Sequence, residues 1–129
     1  MTVILCVDEN FNLLFNNRRV SKDEFVIKDI IDVFGLNIQM NSYSLKMFQE
    51  YGFDINLNSE IHFIESIIDL NEYNEIMIYN FNRSYPSDVK VDISIFFKVE
   101  EIEFSGRSHD KITRSLYRRK EVWEVLKSF

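Results

Sequence analysis

The segment TVILCV (Thr2–Val7) decides how the rest of the chain is read. It is short, rich in β-branched residues and apolar at consecutive positions, without the alternation of a strand that has one wet face. Such a run predicts a strand covered on both sides, and hence a layered α/β arrangement. Asp8-Glu9-Asn10 follows at once and ends the apolar run. Cys6, the only cysteine, lies inside that run; it reads as a buried core thiol and has no partner for an internal disulfide.

Outward from this strand, residues 8–21 are polar and turn-rich around Phe11, Leu13, Leu14 and Phe15. Ser21 precedes KDEFVIKDIIDVFG, with Glu24 three residues on, the pattern of a capping box that opens a helix. Phe25, Ile27, Ile30, Ile31 and Phe34 recur at helical spacing, and Gly35 closes the segment. LNIQM (36–40) is a short strand candidate. Asn41 or Ser42 can cap a second helix, YSLKMFQEYG, whose Leu45, Phe48 and Tyr51 share a face. EIHFIESIIDL (60–70) supports either a strand at 61–64 or a helix through 70. EIMIYNF (75–81) reads as a strand and NRSYPSD (82–88) as a loop, with Pro86 biasing Tyr85 towards extended geometry. VKVDISIFFKVEEIEF (89–104) predicts one or two strands, and DKITRSLYRR an antiparallel edge or hairpin strand. In 119–129, Val122, Val125, Leu126 and Phe129 fall at helical spacing, consistent with a C-terminal helical extension. The expected fold is one α/β domain over 1–129, with a mixed central sheet flanked by helices: parallel strands first, antiparallel C-terminal strands last.

Composition excludes several classes. The chain has 129 residues, 46% hydrophobic, with twelve Phe, three Gly and one Pro, which is a globular composition of single-domain length. Its net charge of -6 disfavours nonspecific nucleic-acid binding, which needs a basic face. Only 18–22 and 111–120 are locally basic. MTVILCVDENF has no basic leader, and no segment approaches the ~18–20 apolar residues of a membrane span. A cytoplasmic location is the expectation. Two distant histidines and a buried cysteine do not make a zinc site, so no metal is expected. The motifs GxSxG, GxGxxG and the P-loop are absent from the sequence.

Several strings resemble dihydrofolate reductase. ILCVDENFNLLFNN resembles that family's first strand and the loop after it. SKDEFVIKDI resembles its first helix, whose early aspartate contacts the pterin; Asp23 falls at that place. IQMNSYSLKMF resembles the strand, turn and helix that follow. EIMIYNFNRSYPSD, VKVDISIFFKVEEIEF and SHDKITRSLYRR resemble the closing strands. The likeness spans most of residues 3–118 and implies a shortened, divergent dihydrofolate reductase-like fold. The departures bear on function. Where the family's turn carries Gly-Arg-x-Thr for cofactor phosphate, this chain has Asn41-Ser42-Tyr43-Ser44. Where the family has a Gly-Gly pair, this chain has Glu65-Ser66, whose carboxylate would repel a pyrophosphate. The substrate loop's Pro-Trp is missing. The resemblance therefore implies the fold, while these residues argue against a nicotinamide cofactor, and none is expected.

The stretch FNNRRVSKDEF (15–25) has a plain reading: a turn at Asn16-Asn17, a helix cap at Ser21 and solvated arginines. Its functional reading puts the helix start and two guanidinium groups at a cleft beside the strand's carboxyl end. Arg18 and Arg19 would pair with ligand anions, flanked by Asn17 and Ser21; Asp23 would accept from a ring amine, as the resemblance implies. Arg83, Tyr85 and Lys111 are further binding candidates, and His109 a candidate acid or base. His62, within an apolar run, reads as structural. The leading expectation is a non-reductase binding protein for a small anionic or heterocyclic ligand, nucleotide or pterin-like. One alternative is a small metal-independent ribonuclease or hydrolase built on His109, Lys111, Arg18 and Arg83. The other is an interaction module without small-molecule chemistry. The C-terminal segment, with Trp123 and Phe129, is expected to pack on its own domain or to form a homodimer.

Overall fold

In the computed structural model, residues 1–14, 22–66, 68–85 and 89–120 are described. Thr2–Val7 forms strand β1, and Val3 through Val7 are fully buried. A strand with no polar face must be enclosed on both sides and paired along both edges, and β1 meets both conditions. It lies parallel to β2 (Ile61–Phe63) on one side and to β3 (Glu75–Asn80) on the other. Strand β5 (Ile112–Arg119) then pairs antiparallel with β3, and β4 (Phe96–Phe104) antiparallel with β5. The five-stranded sheet has the order β2-β1-β3-β5-β4, parallel first and antiparallel last, as the sequence predicts.

The pleat of β1 divides the core in two. Ile4 and Cys6 join a cluster with Val26, Ile27, Ile30, Met47, Phe48, Phe63, Met77 and Tyr79. Val26, Ile27 and Ile30 come from helix α1 (Glu24–Phe34) and Met47 and Phe48 from helix α2 (Ser42–Glu50), which cover this face; Phe63, Met77 and Tyr79 come from the neighbouring strands. Val3, Leu5 and Val7 point the other way, into a cluster with Leu13, Tyr73, Ile76, Ile78, Phe96 and Tyr117. That second face is partly covered by connecting segments around Ile68, Leu70, Val89, Val91 and Ile93. Helix α1 is also tied to the sheet by polar bonds. Arg114 Nη1 of β5 donates to both carboxylate oxygens of Asp29, at 2.9 and 2.8 Å, and the Tyr79 hydroxyl of β3 donates to one of them at 2.7 Å. Burial and the Asp29 charge push the Tyr79 phenol well above its usual range.

Two sequence expectations need correction, and two readings left open are decided. Helix α1 is capped by Asp23, whose carboxylate accepts from the backbone N–H groups of Phe25 and Val26, and not by Ser21. Both residues are good caps; the position went to Asp23 because its carboxylate also has donors waiting in a distant loop. The 36–40 segment forms only isolated bridges, Asn37 to Asn56 and Gln39 to His62. The 60–70 segment is a three-residue strand, followed later by a 3₁₀ turn at Leu70–Glu72. The 89–104 segment holds one strand, since 89–95 leaves the sheet to cover its second face. Arg119 is the last residue of β5, and the rest of the expected C-terminal extension, 121–129, lies outside the described residues.

Phe48 is fully buried and packs edge-on against Phe63, ring centroids 5.2 Å apart, joining α2 to β2. Truncating it removes an anchor that no neighbouring backbone can move in to replace. Phe48→Ala is expected to lower unfolding free energy by about 3–5 kcal/mol in denaturant titration, with an unchanged slope against denaturant.

Candidate functional site

The candidate site lies at the carboxyl ends of β1 and β3. From β1 the chain goes on to α1, the 36–40 segment and the β2 edge; from β3 it goes to the β4–β5 edge. Neighbouring parallel strands whose connections diverge leave a crevice between their carboxyl ends. The loops there hold the two described non-glycine residues with positive φ, Phe11 at 60° and Asn82 at 56°. Asn accepts that conformation easily; for Phe it costs about 1–2 kcal/mol.

Asp8 organises the first loop. It is fully buried, and its carboxylate accepts from the backbone N–H of Asn10 and Asn12 at 2.9 Å and of Tyr85 at 3.2 Å. The Asn12 side-chain amide adds a bond at 3.2 Å. Burial pushes this carboxyl up, but the four donors outweigh it and hold Asp8 below the usual carboxylate range. Asp8 therefore fixes the backbone of Tyr85, far along the chain.

Asp23 organises the second half. Its side chain has no exposed surface. Besides capping α1, it accepts from the N–H groups of Arg107 at 2.9 Å and Ser108 at 3.1 Å, and from the Ser108 hydroxyl at 3.3 Å. His109 Nδ1 lies 2.7 Å from Asp23 Oδ2. Burial acts to raise the Asp23 pKa; the His109 bond and the amides of Arg107, Ser108 and Phe25 overcome it, and the net direction is down. On the other side of the imidazole, Nε2 lies 2.6 Å from the Tyr85 hydroxyl. Phe81 packs edge-on against the ring at 4.7 Å and fixes its plane. The result is a line of groups, Asp23–His109–Tyr85, ending at a half-buried phenol.

The polarity of this line follows from its buried end. An ionised carboxylate only accepts, so Nδ1 carries the hydrogen. In the neutral imidazole Nε2 is then an acceptor, and the Tyr85 hydroxyl donates to it. With its hydrogen committed, the Tyr85 oxygen can only accept from anything outside.

The other sequence candidates are placed differently. Arg83 is exposed; its carbonyl accepts from the Glu9 N–H. Lys111 is exposed and pairs with Glu103 of β4 at 3.1 Å, away from the His109 ring. Asn17, Arg18, Arg19 and Ser21 lie outside the described residues, as do Pro86 and Asp88. His62 bonds the Tyr73 hydroxyl at 2.8 Å, a structural role. Sequence reading passed over Asp8 as a turn residue and did not foresee the Arg107 and Ser108 amides. A signal for Asp8 was present: an acidic residue directly after a strand buried on both faces needs donors.

The place where the resemblance would put a dinucleotide has its own anion. Ser44, in the first turn of α2, donates its hydroxyl to Glu65 at 2.8 Å, and both residues are buried. A helix N-terminus that could receive phosphate is thus faced by the chain's own carboxylate. These residues do not fit a nicotinamide cofactor's pyrophosphate. Among the described residues no group of three or more His, Cys, Asp or Glu could hold a metal ion, and no helix is long and apolar enough to cross a membrane.

Two substitutions test the construction. A Cβ on Gly106 would stand 2.8 Å from Asp23 Oδ2 and 2.9 Å from the His109 carbonyl, so Gly106→Ala is expected to cost about 1–3 kcal/mol and to free the His109 ring, read as changed imidazole NMR shifts. Asp23→Asn places an amide donor among donors and is expected to cost about 2–4 kcal/mol. Because the folded Asp8 and Asp23 pKa values are lowered, their stabilisation is complete above about pH 5 and is lost as pH falls through the folded values. The Asp23→Asn protein should therefore show a shallower loss of stability between about pH 5 and 2 than the parent, measured by denaturant midpoint.

No family model matches the chain. No curated protein matches it either. Among solved structures it is similar to the dihydrofolate reductase from Enterococcus faecalis complexed with NADP(H) and RAB-propyl. The TM-score is 0.62 and the identity 9%, and the match covers 93% of this chain and 96% of that one. At that identity the likeness is one of architecture: the chain is a divergent, dihydrofolate reductase-like α/β domain.

Proposed function

We propose that the protein is a non-reductase binding protein for a small heterocyclic ligand that presents N–H groups, held at the carboxyl ends of β1 and β3. The observation that carries this reading is the Asp23–His109–Tyr85 line. The aspartate expected to meet a ring amine is fully enclosed by its own loop, and the accepting role passes through His109 to the Tyr85 oxygen. Nucleobases and pterins both carry ring and exocyclic N–H donors that suit such an acceptor. Arg18 and Arg19 would take an attached phosphate or carboxylate. Glu65, which accepts from Ser44 in the first turn of α2, argues against hydride chemistry with a dinucleotide. A hydrolytic role draws less support: both ring nitrogens of His109 are engaged, and Lys111 pairs with Glu103 instead of joining it.

A thermal-shift panel of nucleosides, nucleotides, pterins and NADPH tests the proposal. A ligand at a hundred times its Kd stabilises the folded state by about 2.7 kcal/mol, which is several degrees for a domain of this size. At least one N–H-bearing heterocycle is expected to give such a shift, and NADPH none beyond its nucleotide half. Tyr85→Phe should weaken the successful ligand about tenfold, while Arg18→Ala should weaken only its phosphorylated form. No response from any heterocycle, or equal affinity in Tyr85→Phe, would overturn the proposal.

A further inference from the structure

The sheet face opposite the helices carries a cavity of about 350 Å³. It opens between the Ile68–Asn71 segment and the Val89–Ile95 segment, with Leu13, Ile68, Leu70, Val91 and Ile95 as its apolar lining. It is separate from the Asp23–His109–Tyr85 line, which lies on the helix-covered face.

We propose that the cavity is the docking site of the chain's own C-terminal segment, Glu121–Phe129, with Trp123 as its anchor. The point at which the described chain ends supports this occupant. The Lys120 N–H donates to the Ile95 carbonyl at 2.9 Å, and its ammonium to the Ser94 carbonyl at 3.2 Å; both residues line the cavity. The preceding Arg119 holds the other wall: its guanidinium donates to the Leu70 carbonyl at 2.7 Å and to the Tyr73 carbonyl, and lies over the Phe96 ring at 5.0 Å. The chain thus leaves β5 tethered to both walls of the opening. Trp123 is three residues further on, a reach of at most about 10 Å. The nine remaining residues carry Val122, Trp123, Val125, Leu126 and Phe129, an apolar content that costs free energy in water and matches the lining. A second copy or a separate apolar ligand would need its own means of approach; this segment is delivered to the opening covalently, at a high effective concentration.

Trp123 is the only tryptophan, so its fluorescence reports on the segment alone. In the full chain at micromolar concentration we expect blue-shifted emission and weak quenching by acrylamide, both independent of protein concentration. Val91→Asp, on the lining, should red-shift the emission and raise the quenching constant severalfold. Should that variant fail to fold, Trp123→Ala in the full chain provides the second measurement: it is expected to bind the dye 8-anilinonaphthalene-1-sulfonate at a site where the parent binds none. Water-like emission with full quencher access in the parent would overturn the proposal. So would protection that disappears on dilution together with a dimer mass, which would assign the cavity to a second copy.

Discussion

A carboxylate shut away from water has to be met by donors, and the Asp23 side chain has no contact with solvent. Its partners come from two places: the first turn of α1 and the 107–109 loop, more than eighty residues later. That requirement folds the loop against the helix and demands a glycine at 106, where a side chain would strike the carboxylate. It also sets the tautomer of His109, and through it the direction of the Tyr85 hydroxyl bond. Asp8 holds the Tyr85 backbone in the same way. Two buried anions thus set the geometry of the loops at the carboxyl ends of β1 and β3.

The sheet beneath them is asymmetric in its coverings. One face is roofed by two helices, which bring long apolar side chains in regular rows. The other is roofed by connecting segments, which bring fewer such side chains and leave a cavity of about 350 Å³ near the end of β5. Irregular segments must satisfy their own backbone groups by turns and side-chain bonds, as Asp69 and Asp92 do for Asn71 and Ser94.

Two carboxylates at these loops are met by groups of the chain itself. Glu65 faces the first turn of α2, and Asp23 is enclosed by the 107–109 loop. Among the described residues, the Asp23–His109 line ends at the half-buried Tyr85.

Much of this architecture was legible in the residues. TVILCV announced a strand buried on both faces because no position in it tolerates water; the helical spacing of Phe25, Ile27 and Ile30 announced α1. These signals are local, and burial enforces them wherever the segment lands. The role of Asp23 was not legible. In sequence it is one acidic residue in the first turn of a helix, equally suited to a ligand, a cap or solvent. Only the tertiary structure, by carrying Arg107, Ser108 and His109 across to it, decided which donors it would meet, because a hydrogen bond depends on distance in space and the sequence records only order along the chain.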